Sequence, residues 1–408
     1  MELSAGFRRV AAASLDDLGE EAALVEQVRD AIAADGPLTF ARFMEIALYD
    51  PDAGYYRGAD PRPGRRGDFL TAPEAHPIFG HALARQLTEA WERLDRPDRF
   101  VVREYGAGTG ALAEAILRGL AADGSGLREA ILYQPVEVEP RRLDALAARL
   151  GEAGFGDVVE AAGPPSVTGV VLANEVLDAL PVHRVGVRDG RLVERYVGLD
   201  PVTGSFTDVW GEPSTPALAA RLAAEDVTLA EGQDAEICLA LDGWVAAAAA
   251  GLARGLLLVI DYGDPARILY DNARRPHGSL RAYARHRVHD DILAHLGRQD
   301  LTAHVDLSAL DAAARGAGLT AVGSTTQAAF LAGNGIEELL RAVQADPATS
   351  LRDYVELRSA LMRLLDPAAM GRFAVVAFGR DWPEGPPLAG FAWRVPPRSA
   401  QPSRPDYG

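Results

Sequence analysis

Glu104-Tyr105-Gly106-Ala107-Gly108-Thr109-Gly110-Ala111-Leu112 is the stretch on which the fold turns. Residues 100–104 before it form a short apolar run that reads as a strand, and residues 112–120 after it have helical spacing. Glycines at alternate positions between strand and helix allow a tight turn and a close approach of ligand to backbone. The free N–H groups at the start of the following helix then face that ligand.

Outward from this turn the pattern repeats. Residues 131–138 read as a second strand, followed by a helix over 141–150. Residues 170–173, 256–260 and 373–378 read as further strands. Strands alternating with helices predict a parallel sheet covered on both faces. Residues 182–187 and 192–197, around Asp189-Gly190, predict a hairpin with a favoured turn dipeptide. Ahead of the turn, helices are expected over 20–34, stopping at Gly36-Pro37, over 40–48 with Thr39 as N-cap, and over 77–94. Residues 60–67 read as a loop. The expected organisation is a helical arm with a cofactor-covering loop (1–98), a Rossmann-like core (99–263), an inserted, mainly helical, substrate-side segment (264–345), a stretch completing the core (346–382) and a Pro-rich tail (383–408).

Composition removes several chemistries. The 41 Lys+Arg residues are all arginine, so a P-loop lysine, a Schiff-base lysine and a kinase lysine are excluded. The single cysteine, Cys238, excludes an intrachain disulfide and a multi-Cys zinc site. His286, His289 and Asp290 have helical metal-ligand spacing without a third strong ligand, so no metal is expected. A net charge of −17 and only weak arginine clustering argue against a nucleic-acid substrate. No apolar run approaches a membrane span, and residues 1–21 lack the apolar core of a secretory signal. A cytoplasmic protein is expected on these grounds; the sequence leaves its oligomeric state open.

Three places carry candidate chemistry. The glycine turn suits either the methionine part of S-adenosylmethionine (SAM) or a dinucleotide, since Gly106, Gly108 and Ala111 also satisfy the dinucleotide spacing. Gly110, and Glu104 just before the glycines, favour SAM. A glycine turn without a ligand is the plain alternative. Glu137 ends the second strand, where a carboxylate accepts both ribose hydroxyl protons. Glu139 lies two residues too far. The run Asn174-Glu175-Val176-Leu177-Asp178 follows the third strand, at the edge where ligands of open α/β sheets sit. One turn of helix would bring Glu175 and Asp178 to one side, and a merely favourable acidic helix start would look the same.

Read together, these residues resemble the MidA-like class I methyltransferase family, which includes the mitochondrial complex I assembly methyltransferase. The likeness is carried by Leu38-Thr-Phe-Ala-Arg-Phe-Met44, Ala47-Leu-Tyr-Asp-Pro51, Gly54-Tyr-Tyr56, Gly67-Asp-Phe-Leu-Thr71, the 104–110 turn, Val136-Glu-Val138 and, most distinctively, Asn174-Glu175 with Asp178-Ala-Leu-Pro-Val-His183. Asp261-Tyr-Gly263, Gly278-Ser-Leu-Arg-Ala-Tyr283 and Asp300-Leu-Thr-Ala-His-Val-Asp306 continue it. Tyr105 departs from it, standing where a small aliphatic residue is usual. The resemblance implies an α/β fold, a Rossmann-like class I methyltransferase sheet with an N-terminal helical arm and an inserted helical subdomain. It implies SAM as cofactor, held by Glu104, Gly106, Gly108, Gly110, Glu137 and Asn174, with Gly67, Asp68, Phe69 and Thr71 closing over it. It also implies a protein substrate presenting an arginine near Asn174, Glu175 and Asp178. His183, a few residues on, is a candidate to assist proton removal. A small-molecule methyltransferase, a non-catalytic assembly factor on the same fold and a nicotinamide oxidoreductase are the alternatives.

Overall fold

The computed structural model describes residues 15, 17–57, 72–160, 163–285 and 287–392. Helices α1 (Ala22–Asp35) and α2 (Phe40–Tyr49) open it, and Thr39 caps α2 by accepting the Arg42 N–H at 3.2 Å. Helix α3 (Ile78–Arg93) leads into strand β1 (Phe100–Tyr105), helix α4 (Ala111–Ala122), strand β2 (Ile131–Val136), helix α5 (Pro140–Glu152) and strand β3 (Val167–Asn174). Helix α6 (Ala240–Ala250) precedes strand β4 (Leu252–Asp261). Helix α7 (Leu307–Gly316), strand β5 (Thr320–Thr326) and strand β6 (Ala374–Arg380) complete the core.

The main sheet runs β5-β6-β4-β3-β1-β2. Strands β1 to β4 are mutually parallel, and β6 lies antiparallel to both its neighbours. Alternation along the strands builds two apolar layers. Phe100, Val102, Val170 and Leu258 join Phe79, Leu83 and Ile116 on the side of α3 and α4. Val101, Val171 and Leu257 join Val245 and Leu310 on the side of α6 and α7. This is the α/β, Rossmann-like architecture expected. Its strand ends carry their functional loops at one edge.

A second, antiparallel sheet grows from the hairpin of His183–Arg188 and Arg191–Leu199. Asp189 and Gly190 turn it with φ of 53° and 70°, the primed-turn geometry the dipeptide favours. Phe206–Gly211 and Asp234–Ile237 flank it, and the N-terminal arm packs on it through Phe40, Phe43 and Met44 against Val182 and Val197.

Residues 264–345 are not mainly helical throughout. Arg281–Ala284, Arg287–His289 and Asp300–Thr302 form a three-stranded sheet, and β5 belongs to the main sheet. Ala282, Leu301 and Ala303 from this stretch are buried against the N-terminal arm. Packing, rather than local spacing, therefore sets the conformation there.

Candidate functional site

The strand ends of β1, β2 and β3 open into one cavity of about 600 Å³. One wall of it is built by the glycine turn. Gly106, Gly108 and Gly110 all have left-handed φ (67°, 53° and 75°), which costs other residues strain. A side chain at Gly110 would also meet Leu146 Cγ at 2.8 Å. Glu104 is buried, and the Tyr133 hydroxyl donates to it at 2.6 Å. Burial pushes the Glu104 carboxyl up to about 7, against the pull of that phenol. Glu137 ends β2 and accepts the Gly108 N–H at 2.5 Å and the Val138 N–H at 3.1 Å. A carboxylate has about four lone-pair sites, so acceptor capacity remains for a vicinal diol. Glu139 is instead the N-cap of α5, paired with Arg141 at 2.7 Å. Tyr105, the departure from the resemblance, packs its ring edge-on against Trp244 at 5.3 Å, and both line the cavity.

The opposite wall is built by the turn after β3. Glu175 has a left-handed φ of 53°, a conformation that costs a non-glycine residue about 1–3 kcal/mol and marks functional turns. Its N–H donates to the Ile260 carbonyl at 2.8 Å, which holds the turn against β4. Asp261 at the end of β4 does the rest. One of its oxygens accepts from the N–H groups of Val176, Leu177 and Asp178, and the other from Tyr262. Glu175 Oε1 accepts from the Ala72 N–H at 3.0 Å and from Asn174 at 3.2 Å. Glu175 Oε2 and Asn174 Oδ1 are buried without a hydrogen-bond partner among the described residues. Burial pushes the Glu175 carboxyl up to about 8, partly offset by the Ala72 N–H. Asp178 is raised by burial and by its neighbours Asp261, Asp300 and Glu175.

Of the residues singled out in sequence, Glu104, Gly106, Gly108, Glu137, Asn174 and Glu175 line this cavity together. Gly110 supplies the N-cap of α4 beneath it. Asp178 follows Glu175 in a 3₁₀ turn, Leu177–Ala179, and is buried among the other carboxyls rather than on the cavity lining. His183 is not among the residues lining the cavity; it begins a strand of the second sheet, and its Nδ1 pairs at 2.7 Å with the fully buried Glu194. Gly67, Asp68, Phe69 and Thr71 lie outside the described residues, as does His286. No cluster that could hold a metal exists among the described residues. Sequence reading assigned no role to Asp261, although an acid ending the parallel strand beside β3 is a position where sheet sites gather.

Residues 82–325 match the family described as S-adenosyl-L-methionine-dependent methyltransferases. The chain belongs to that family. Among its relatives, the Drosophila melanogaster protein arginine methyltransferase NDUFAF7 homolog is 30% identical over 87% of this chain and 84% of its own length. The human protein arginine methyltransferase NDUFAF7 is 29% identical over 83% of this chain and 79% of its own. A solved structure from Burkholderia thailandensis, bound to S-adenosyl-homocysteine, superposes with a TM-score of 0.80 at 37% identity. It covers 91% of this chain and 94% of its own. The methyltransferase thus takes SAM as cofactor, and the residues present fit it: a glycine cradle that a side chain would fill and a carboxylate with spare acceptor capacity. The fly, frog, mouse and human relatives are named mitochondrial, which overturns the cytoplasmic expectation. No helix among the described residues is long and apolar enough to cross a membrane.

Proposed function

We propose that this methyltransferase transfers the methyl group of SAM to an arginine side chain of a partner protein. The reading is carried by Glu175. It sits on the cavity wall with Oε2 unpartnered, backed by Asp178 and Asp261, and none of the three is ion-paired among the described residues. A cavity wall that concentrates carboxyls without a cation suits a cationic ligand. The NDUFAF7 relatives are named protein arginine methyltransferases, and since the family resembled includes a complex I assembly methyltransferase, proteins of respiratory complex I are the first acceptors to test.

On the cofactor side, Glu137 would accept the ribose hydroxyls, the glycine turn would face the methionine part, and Glu104 would accept from its ammonium. When bound, SAM supplies an electrophilic methyl carbon on a positively charged sulfur. The chain's own task is alignment, where most of the rate gain of such a displacement lies. Free arginine has a pKa of ~13.8. Removing its proton in advance at pH 7 would cost about 9 kcal/mol, at 1.36 kcal/mol per pH unit. Gripping the cation is the cheaper route. A guanidinium entering the cavity favours the ionised form of Glu175 and lowers its pKa. Glu175 Oε2 then accepts a hydrogen bond from one guanidinium nitrogen and turns that nitrogen toward the methyl carbon. Glu175 would then take up the proton that the methylated nitrogen gives up. Asp178 and Asp261 stabilise the positive charge until then.

The test is incubation of the purified enzyme with methyl-labelled SAM and a cell lysate lacking this protein, followed by mass spectrometry of the labelled species. Label on arginine of a protein is the expected result. Label confined to small molecules would contradict the proposal.

A further inference from the structure

Two phenols that sequence reading left without a role stand in this cavity. Tyr49 ends α2 and Tyr56 follows it in a 3₁₀ turn, Tyr55–Arg57; both line the cavity. Their rings stack at 5.5 Å with 28° between planes. The Tyr49 hydroxyl donates to the Ala179 carbonyl at 2.9 Å, and the Tyr56 hydroxyl donates to Asp300 Oδ1 at 2.8 Å. Ala179 lines the cavity as well.

A phenol carries a single proton. Here both protons are committed to the protein, so each oxygen offers only lone pairs to anything else. Both groups also stay neutral. Burial raises them well above the ordinary phenol range, and the nearby carboxyls Asp300 and Asp178 add to it. Tyr49 and Tyr56 line the same cavity as Glu137 on one wall and Glu175 and Ala179 on the other. The reacting sulfur must lie between those two sides, because its methyl passes from one to the other.

SAM and its product S-adenosyl-homocysteine differ there by one methyl group and one positive charge. The carbons bonded to a sulfonium are polarised, and their hydrogens seek lone pairs; those beside a neutral thioether do not. We propose that Tyr49 and Tyr56 form a sulfonium-recognising wall, whose acceptor-only oxygens favour the charged cofactor over its demethylated product. The wall would orient the methyl carbon before transfer and weaken the hold on the cofactor afterwards, which aids product release. This inference rests on the cavity being the SAM site.

The test is calorimetric titration of the wild type, Tyr49→Phe and Tyr56→Phe, each with SAM and separately with S-adenosyl-homocysteine, on protein whose thermal melts show it folded. Loss of one charge-assisted contact should weaken SAM about five- to tenfold and leave S-adenosyl-homocysteine within about twofold. Equal changes for both ligands would mean that the phenols only support the turn at Ala179, and would overturn the proposal. No change for either would overturn it as well. Should Tyr49→Phe fail to fold, Tyr56→Phe decides, since its hydroxyl is tied to Asp300 and not to the turn. A wild type that binds neither ligand would instead refute the cofactor assignment, a distinguishable result.

Discussion

The two sides of the cavity are built on opposite principles. On the cofactor side the principal groups arrive partnered: Glu104 with Tyr133, Glu137 with two backbone N–H groups, and the glycine turn locked by its own φ values. On the proposed acceptor side Glu175 sits in a left-handed backbone with one oxygen unpartnered among the described residues, and Asp178 is crowded by other acids. The first side is finished before its ligand comes. The second gathers acids whose ionised forms an incoming cation would favour. A methyltransferase gains from this division, since a rigid cofactor site fixes the methyl carbon while the acids of the acceptor site bind the nucleophile.

The division can be broken most severely at Glu175. Glu175→Gln keeps the shape and removes the charge, so methyl transfer should fall by about a hundredfold or more. Binding of S-adenosyl-homocysteine should stay within about twofold. Retained turnover in a discontinuous label-transfer assay would end the role given to this carboxylate. On the other side, Glu137→Ala should weaken S-adenosyl-homocysteine by about thirtyfold, the loss of charge-assisted hydrogen bonds to a diol. Gly110→Ala places Cβ at 2.8 Å from Leu146 Cγ in a left-handed backbone. It should cost about 1–3 kcal/mol, read as a lower Tm.

A milder probe uses Glu104. Its folded pKa of about 7 lies above the ordinary carboxylate value, so the folded protein holds more protons than the unfolded chain between the two. The stability linked to this group is therefore full at acid pH and is lost as pH rises toward and past 7. Glu104→Gln removes that slope. Denaturant melts should show the variant gaining on the wild type between pH 5 and pH 8, by up to about 1.4 kcal/mol per unit. The comparison with the wild type cancels Glu175 and Asp261, which shift in the same direction. A constant difference would show that Glu104 is ionised throughout. The smallest effect on turnover is expected at His183, which belongs to neither side. His183→Asn should leave label transfer within about threefold while lowering Tm, because the buried Glu194 loses a partner.

The parts of this account that were legible in sequence are those set by local backbone rules. The glycine spacing, the acid ending the second strand and the hairpin dipeptide each demand a particular φ or position, and the structure places them so. What was hidden depends on distant chain segments meeting. Asp261 organises the turn at 176–178 across 83 to 85 residues of sequence, and Tyr49 reaches Ala179 across 130. The partner of His183 is hidden in the same way: the histidine follows the Asn174-Glu175 run closely, yet the start of a new strand carries its side chain to Glu194. Residues 281–302 were misjudged because short strands paired to one another and buried by the N-terminal arm leave little periodicity to read.

The most direct measurement is a pair of calorimetric titrations with S-adenosyl-homocysteine, one on Glu137→Ala and one on Glu175→Gln. The account predicts a large loss of affinity in the first and near wild-type binding in the second. Equal losses in both, or a loss only in the second, would contradict a cavity divided into a finished cofactor side and a poised acceptor side.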